Sequence, residues 1–321
     1  MPETEDWPKD WPETKRWAAH TPEDPDAADQ EEGEAPVCQG PDPQPHAPSF
    51  AIPPGACDCH AHVIGPLALF PLQRHRSYTP PEAPLASYRA MHAALGIERG
   101  VLVQASVFGT DNACMLQALA RHRNTLRGIA VVDADVDGQT LDQMATTGIC
   151  GLRFNTLFKG GVQTDQIEIL AERIAPYGWH LQFLIDGHEL PALAPRLADL
   201  PVDVVIDHMG CLPAVEDVRA PGFQALLTLV RNGRCWVKLS GADRVSAAGP
   251  PYHDTIPFAR ALIEADPTRV VWGSDWPHVA LAGPMANDGD LLDLLALWAP
   301  DERTRHMILV ENPARLYQFG D

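Results

Sequence analysis

The sequence predicts a single (β/α)8 barrel, and three observations carry that expectation. From about residue 50 onward, a short β-rich apolar run, a polar loop and an amphipathic stretch follow one another in the same order. The pattern can be counted eight times in roughly 270 residues, the length a closed eightfold barrel needs. The apolar runs also end in polar residues, at the rim where a barrel builds its site. Strict alternation implies parallel strands joined by crossover helices. An open doubly wound sheet is the alternative, weakened because no GxGxxG or GxxxxGK[ST] loop follows any strand.

Taken in order, the first strand is read at 56–64 (ACDCHAHVI), where a β-rich run carries alternating ionisable groups. Strands at 100–106 (GVLVQAS) and 127–133 (RGIAVVD) are continuous apolar runs, as strands covered on both faces are. The fourth is 149–155 (ICGLRFN) and the fifth 179–186 (WHLQFLID). The last three are 202–209 (VDVVIDHM), 234–240 (RCWVKLS) and 269–275 (RVVWGSD). Amphipathic periodicity places helices at 111–123, 164–176, 189–199, 222–232, 255–265 and 288–298, with a closing helix near 301–317.

Ahead of the barrel (50–321), residues 1–49 form an acidic, proline-rich tail. Thirteen acids stand there against Lys9, Lys15 and Arg16, a local charge of −10 out of −19 for the whole chain. With almost no aliphatic residues, the segment is expected to be disordered or to wrap the surface. Trp7, Trp11 and Trp17 offer contacts to the barrel or to a neighbouring subunit, so a homo-oligomer built through the tail is one expectation. With 24 basic against 43 acidic side chains and no basic stripe, a nucleic-acid or anionic-membrane partner is not expected. The N-terminus lacks a leader-like pattern and no apolar run is long enough to span a bilayer. The seven cysteines are odd in number and form no CxxC pair, which suits reduced thiols in a cytoplasmic protein.

The strand ends carry the chemistry. Asp58, His60 and His62 share one face of the first strand by its period of two. The fourth strand ends at Arg153, with Lys159 in the loop beyond; the sixth ends Asp207-His208; the seventh runs into Asp243-Arg244; the eighth ends Ser274-Asp275-Trp276-Pro277-His278. Cations facing a carboxylate and three imidazoles suggest an anionic substrate held beside a general base. His180 is expected at the barrel floor in a structural role, and His92, on a helix, is expected to face solvent. His188, just past the end of the fifth strand, is assigned neither role. No GxSxG elbow is present, so covalent catalysis is not favoured.

The segments DCHAHVIGP, VQASVFGTDN, RGIAVVD, GLRFN, VIDHMG, WGSDWPH and ENPARLY together resemble the amidohydrolase superfamily and, within it, the group of 2-pyrone-4,6-dicarboxylate and sugar lactonases. The resemblance runs from about residue 50 to 319. It implies that His60, His62 and His208 are substrate-side histidines and that Asp275 is the general base. It implies further that Arg153 and Arg244 bind substrate carboxylates, that Lys159 replaces another arginine, and that Tyr78 and Ser106 are binding residues. The implied activity is opening of a carboxylate-bearing lactone, 2-pyrone-4,6-dicarboxylate or a related muconolactone, by water that Asp275 activates. An aldarolactone lactonase or isomerase, a zinc-dependent decarboxylase of the same superfamily and a non-catalytic carboxylate-binding barrel remain as alternatives.

The resemblance implies no metal, although His60, His62, His208 and Asp275 could between them hold one Zn²⁺. Two-metal chemistry is not expected, since the fourth strand ends in Arg153 and the fifth carries no inward histidine. Against the pattern of the pyrone lactonases, Leu184 replaces a tyrosine, Cys211 an arginine and Ala280 an asparagine, which leaves a muconolactone, a sulfonated muconolactone or an aldarolactone open beside the dicarboxylated pyrone.

Overall fold

A computed structural model describes residues 35–162, 164–281 and 283–320. Eight parallel strands stand side by side in chain order. They are β1 (Cys57–Ala61), β2 (Arg99–Val103), β3 (Leu126–Ala130), β4 (Ile149–Asn155), β5 (His180–Leu184), β6 (Val204–Ile206), β7 (Cys235–Leu239) and β8 (Val270–Trp272). The ring is brought nearly to closure at the β8–β1 seam. There Ala61 bridges Trp276, the Asp275 amide donates to the His60 carbonyl at 2.8 Å, and the His62 amide donates to the Trp276 carbonyl at 2.8 Å. A Cβ on Gly273 would lie 2.8 Å from the His60 Cβ, so only glycine lets the two chains approach this closely.

Each expected run contains one strand, so the predicted (β/α)8 barrel is the observed fold. Apart from β4, the ladders stop one to three residues early. The residues left over include rim residues such as His62, Gln104, His208, Ser240 and Ser274, whose side chains bond to neighbouring elements instead. One local expectation is overturned. The register of β1 against β2 slips between Asp58 and Ala61. Asp58 accepts from the Ser274 amide (2.8 Å), the Ser274 hydroxyl (2.6 Å) and the Tyr88 hydroxyl (3.1 Å), away from the histidines with which it was expected to share a face.

The ring is covered by α1 (Leu85–Leu95), α2 (Ala113–Ala120), α3 (Gly138–Thr147), α4 (Ile167–Ile174), α5 (Leu190–Ala198), α6 (Pro221–Arg231), α7 (Ala242–Val245), α8 (Ile256–Ala265) and α9 (Asp288–Trp298). The stretches after the first and third strands, given no bounds from the sequence, form α1 and α3 with conventional ends. Gly96 and Gly148 close them with positive φ, and the Asp137 carboxylate caps α3 at the Thr140 amide. His92 on α1 is buried rather than solvent-facing, 3.4 Å from the Asp58 carboxylate. His180 is buried against the Tyr317 ring, as expected. The closing helix is broken into α10 (Glu302–His306), a π-turn (Met307–Glu311) and α11 (Asn312–Leu316).

Residues 35–49 wrap the start of α9. Asn287 accepts from the His46 amide and donates to Asp42, and Asp293 accepts from the Ser49 amide. Trp7, Trp11 and Trp17 lie outside the described residues, as does most of the acidic tail. Among the described residues no helix is long and apolar enough to cross a membrane. Apolar side chains from all the strands form one core, with a small separate cluster of Leu157, Leu184 and Cys211, against which Phe158 packs, at the C-terminal mouth.

Candidate active site

The C-terminal ends of the strands surround a small pocket. Its polar lining is His62, Tyr78, Ser106, Arg153, His208, Arg244 and Asp275, and its apolar lining Phe158, Leu184 and Val279. Of the nine residues singled out from the sequence, seven therefore line one cavity. His60 lies just beneath it, in contact with Asp275. Lys159 lies in the loop beside the mouth, its amide donating to the Ser77 hydroxyl, and does not line the pocket.

Asp275 follows β8 with φ at 68°, a left-handed conformation that aspartate tolerates better than most residues. Its Oδ1 lies 3.6 Å from His60 Nε2 and 3.7 Å from His208 Nε2, while Oδ2 accepts a short hydrogen bond from Arg244 Nε. Burial would raise this carboxyl, but Arg244, His208, His60 and His62 outweigh it and hold Asp275 far below the usual carboxylate range. Arg244 is positioned by the glycine that precedes α7. Gly241 has φ at 68°, and a Cβ there would lie 2.8 Å from the His208 Cβ.

The three histidines differ in what holds them. His62 donates from Nδ1 to the Val103 carbonyl at 2.8 Å, so Nε2 is left as a lone pair. Burial, with Arg153 adding to it, lowers its pKa to about 3. His208 Nδ1 lies 2.9 Å from the Ser240 hydroxyl, and burial likewise lowers its pKa. His60 faces a buried lysine, whose Nζ is 3.2 Å from His60 Nδ1. The same Nδ1 lies 3.3 Å from Asp207 Oδ1; when Lys238 donates to it, the ring proton stands on Nε2, which has no hydrogen-bond partner and lies beside Asp275.

Lys238 was not among the residues singled out from the sequence. It is fully buried, donates to Gln182 Oε1 at 2.7 Å and lies 3.4 Å from Asp207 Oδ1. Gln182 Nε2 in turn donates to Asp207 Oδ2 at 3.0 Å, and Arg153 Nη2 is 3.5 Å from the same oxygen. Burial would raise Asp207, yet Lys238, His60 and Arg153 hold it well below the usual range. A lone lysine inside CWVKLS was the available signal, because a charge in a strand buried on both faces needs a partner.

Beside the pocket, His278 is buried between Asp288 (3.1 Å) and Asp243 (3.5 Å). Burial alone would lower its pKa, but the two carboxylates raise it to about 10. His278 thereby ties the β8 loop and α9 to the helix that carries Arg244. His188, left open by the sequence, is held between Asp186 and Glu216 and does not line the pocket.

Two sets of donor atoms have spacing that suits a metal ion, His60 with His62 and Asp275, and His60 with Asp207 and His208. Both depend on His60, whose Nε2 carries the proton when Lys238 donates to Nδ1. A metal at either set would need His60 Nε2 as a lone pair and would sit among Asp207, Asp275, Lys238, Arg153 and Arg244.

Residues 57–319 match the amidohydrolase family. The chain is 42% identical over 290 residues to 4-sulfomuconolactone hydrolase of Rhizobium radiobacter, covering 88% of this chain and 96% of that protein. It is 37% identical over 284 residues to 2-pyrone-4,6-dicarboxylate hydrolase of Comamonas testosteroni, covering 85% and 93%. A crystal structure of an Agrobacterium tumefaciens protein without ligand superposes with a TM-score of 0.81 at 30% identity, over 87% of this chain and 99% of that one.

Proposed function

The chain belongs to the amidohydrolase family, and from that premise we propose that it is a hydrolase that opens an anionic lactone with water activated by Asp275, without a metal. Relatives named as lactone hydrolases, 37–42% identical over most of both chains, support the reaction class. The observation that carries the mechanism is the position of Asp275, with one oxygen beside two imidazole Nε2 atoms and the other held by Arg244.

In this reading, water binds between Asp275 Oδ1 and the bare Nε2 of His62, both acceptors, and attacks the lactone carbonyl while Asp275 takes its proton. With Ser240 donating to Nδ1, His208 keeps a proton on Nε2 and can donate to the developing oxyanion, as can the Tyr78 hydroxyl. Asp275 then returns its proton to the departing ring oxygen. His60 acts from behind as a positioning residue for Asp275.

A carboxylate held so far below its usual pKa is a weak base, and Arg244 is the first of the charges responsible. Arg244 also lines the pocket. A substrate anion that draws the guanidinium toward itself restores basicity to Asp275, so substrate binding and base activation are coupled. Arg153 and Arg244 anchor the anion; Lys159 contributes charge at the mouth, and Tyr78 and Ser106, which share a 3.1 Å hydrogen bond, line the entrance.

The test is turnover of chelator-treated protein on 2-pyrone-4,6-dicarboxylate and on muconolactone, followed by loss of ultraviolet absorbance. Metal-independent turnover that Asp275→Asn abolishes is expected. No turnover of either lactone, or turnover that Asp275→Asn leaves intact, would overturn the reading.

A further inference from the structure

We propose that the pocket selects lactones carrying a single anionic group and an apolar edge. This rests on the lactonase reading and narrows it to a substrate class. The side chains that line the pocket are of two chemical kinds. Both cations that line it, Arg153 and Arg244, belong to the polar lining, together with Tyr78, Ser106 and the residues around Asp275.

Each of these guanidinium groups already faces a protein carboxylate, Arg244 on Asp275 and Arg153 at 3.5 Å from Asp207. Arg153 also donates to the Gln104 carbonyl at 3.1 Å, and its buried Nε has no partner. An unmet charged donor in a pocket wall is a place for one substrate anion.

The apolar lining, Phe158, Leu184 and Val279, offers nothing to an anion. Leu184 is backed by Leu157 and Cys211, and this cluster is separate from the barrel core. Burial holds the Cys211 thiol well above its usual pKa, so it brings no charge. A second carboxylate placed against this lining would be stripped of water and find no donor. A ring C–H edge or an alkyl substituent would instead bury apolar surface against Leu184 and Phe158. The cluster is built of side chains at the mouth, on the end of β5 and in the loops after β4 and β6. These are barrel positions that face substrate.

The experiment compares kcat/KM of the full-length protein on muconolactone, its methyl-substituted form and the dianionic 2-pyrone-4,6-dicarboxylate. The expected result is a preference for the two monoanions of at least tenfold, about what a desolvated charge without a partner sets between competing substrates. Leu184→Asn, close to leucine in size but polar, should shrink that ratio mainly by raising KM for the methylated lactone. Equal turnover of monoanion and dianion, or preference for the dianion, would overturn the inference and leave the lactonase reading standing. No turnover of any of the three would sink both. The wild-type ratio decides the matter even if the variant fails to fold.

Discussion

Lys238 Nζ lies 3.2 Å from His60 Nδ1, so a fully buried ammonium and a neutral imidazole share one hydrogen bond beneath the pocket. Such a lysine keeps its charge only where acceptors surround it, and Gln182 and Asp207 supply them. The consequence reaches Asp275, because the proton that Lys238 places on His60 Nε2 is turned toward the carboxylate that would move protons in catalysis.

Replacing Lys238 by methionine is therefore expected to damage two properties at once. Asp207 would be left buried without its nearest cation, a loss of about 3–5 kcal/mol in stability by analogy with other broken buried pairs. The pH profile of kcat/KM would also change shape, since His60 could then carry its proton on either nitrogen. Chemical denaturation and a pH–rate series on the same preparation check both. A variant that loses stability but keeps the wild-type profile would confine Lys238 to a structural role.

Asp275→Asn should lower kcat by roughly 10²–10⁴, the usual worth of a positioned general base, with little change in KM. Arg244→Gln should behave differently. It removes the leading cause of the depressed Asp275 pKa and one anchor for the substrate anion, so KM should rise more than kcat falls. The acid limb of the kcat/KM profile should also move to higher pH. Steady-state kinetics of the two variants side by side test the division of labour; equal losses in kcat would refute it.

Dialysis against a strong chelator should leave turnover unchanged, and elemental analysis of active protein should find no stoichiometric zinc. The reason is His60, shared by both candidate donor sets, whose Nε2 carries a proton rather than a lone pair where Lys238 donates to Nδ1. Zinc at one ion per chain, with activity lost on removal and regained on return, would show that the nest rearranges to admit a metal.

The barrel was legible in the sequence because eight apolar runs separated by amphipathic stretches leave few other folds. The rim was legible because charges such as Arg153, Arg244 and Asp275 stand where strands must end. What could not be read were relations between distant segments. The slip in β1 that turns Asp58 away from His60 depends on how β1 pairs with β2, and nothing in DCHAH encodes it. The placing of Lys238 against His60 spans 178 positions in sequence. His92 looked like a surface residue of a helix, and only the Asp58 carboxylate reaching out of the barrel explains its burial. The apolar cluster at the mouth likewise joins Leu157, Leu184 and Cys211 from three separate strand ends.

Stability should peak near pH 6.5 and decline on both sides, for reasons with opposite signs. His278 and His188 are each raised to about 10 by flanking carboxylates. Their stabilisation is fully present below the unfolded value of 6.5 and is lost as pH rises from there through about 10. His62 and His180 are lowered by burial to about 3, and His60 and His208 are lowered too. Below pH 6.5 the unfolded chain therefore binds more protons at these positions than the folded one, and stability falls as acid is added. Asp207 and Asp275, held low in the fold, steepen the loss once pH drops toward their ordinary value of 3.8. Urea midpoints at pH 5, 6.5 and 9 measure both limbs. His278→Gln should reduce the alkaline limb to the share that His188 supplies and leave the acid limb in place, because one of the two raised groups is removed. An alkaline limb that survives in His278→Gln and disappears in His188→Gln would assign it to the Asp186–Glu216 pair instead.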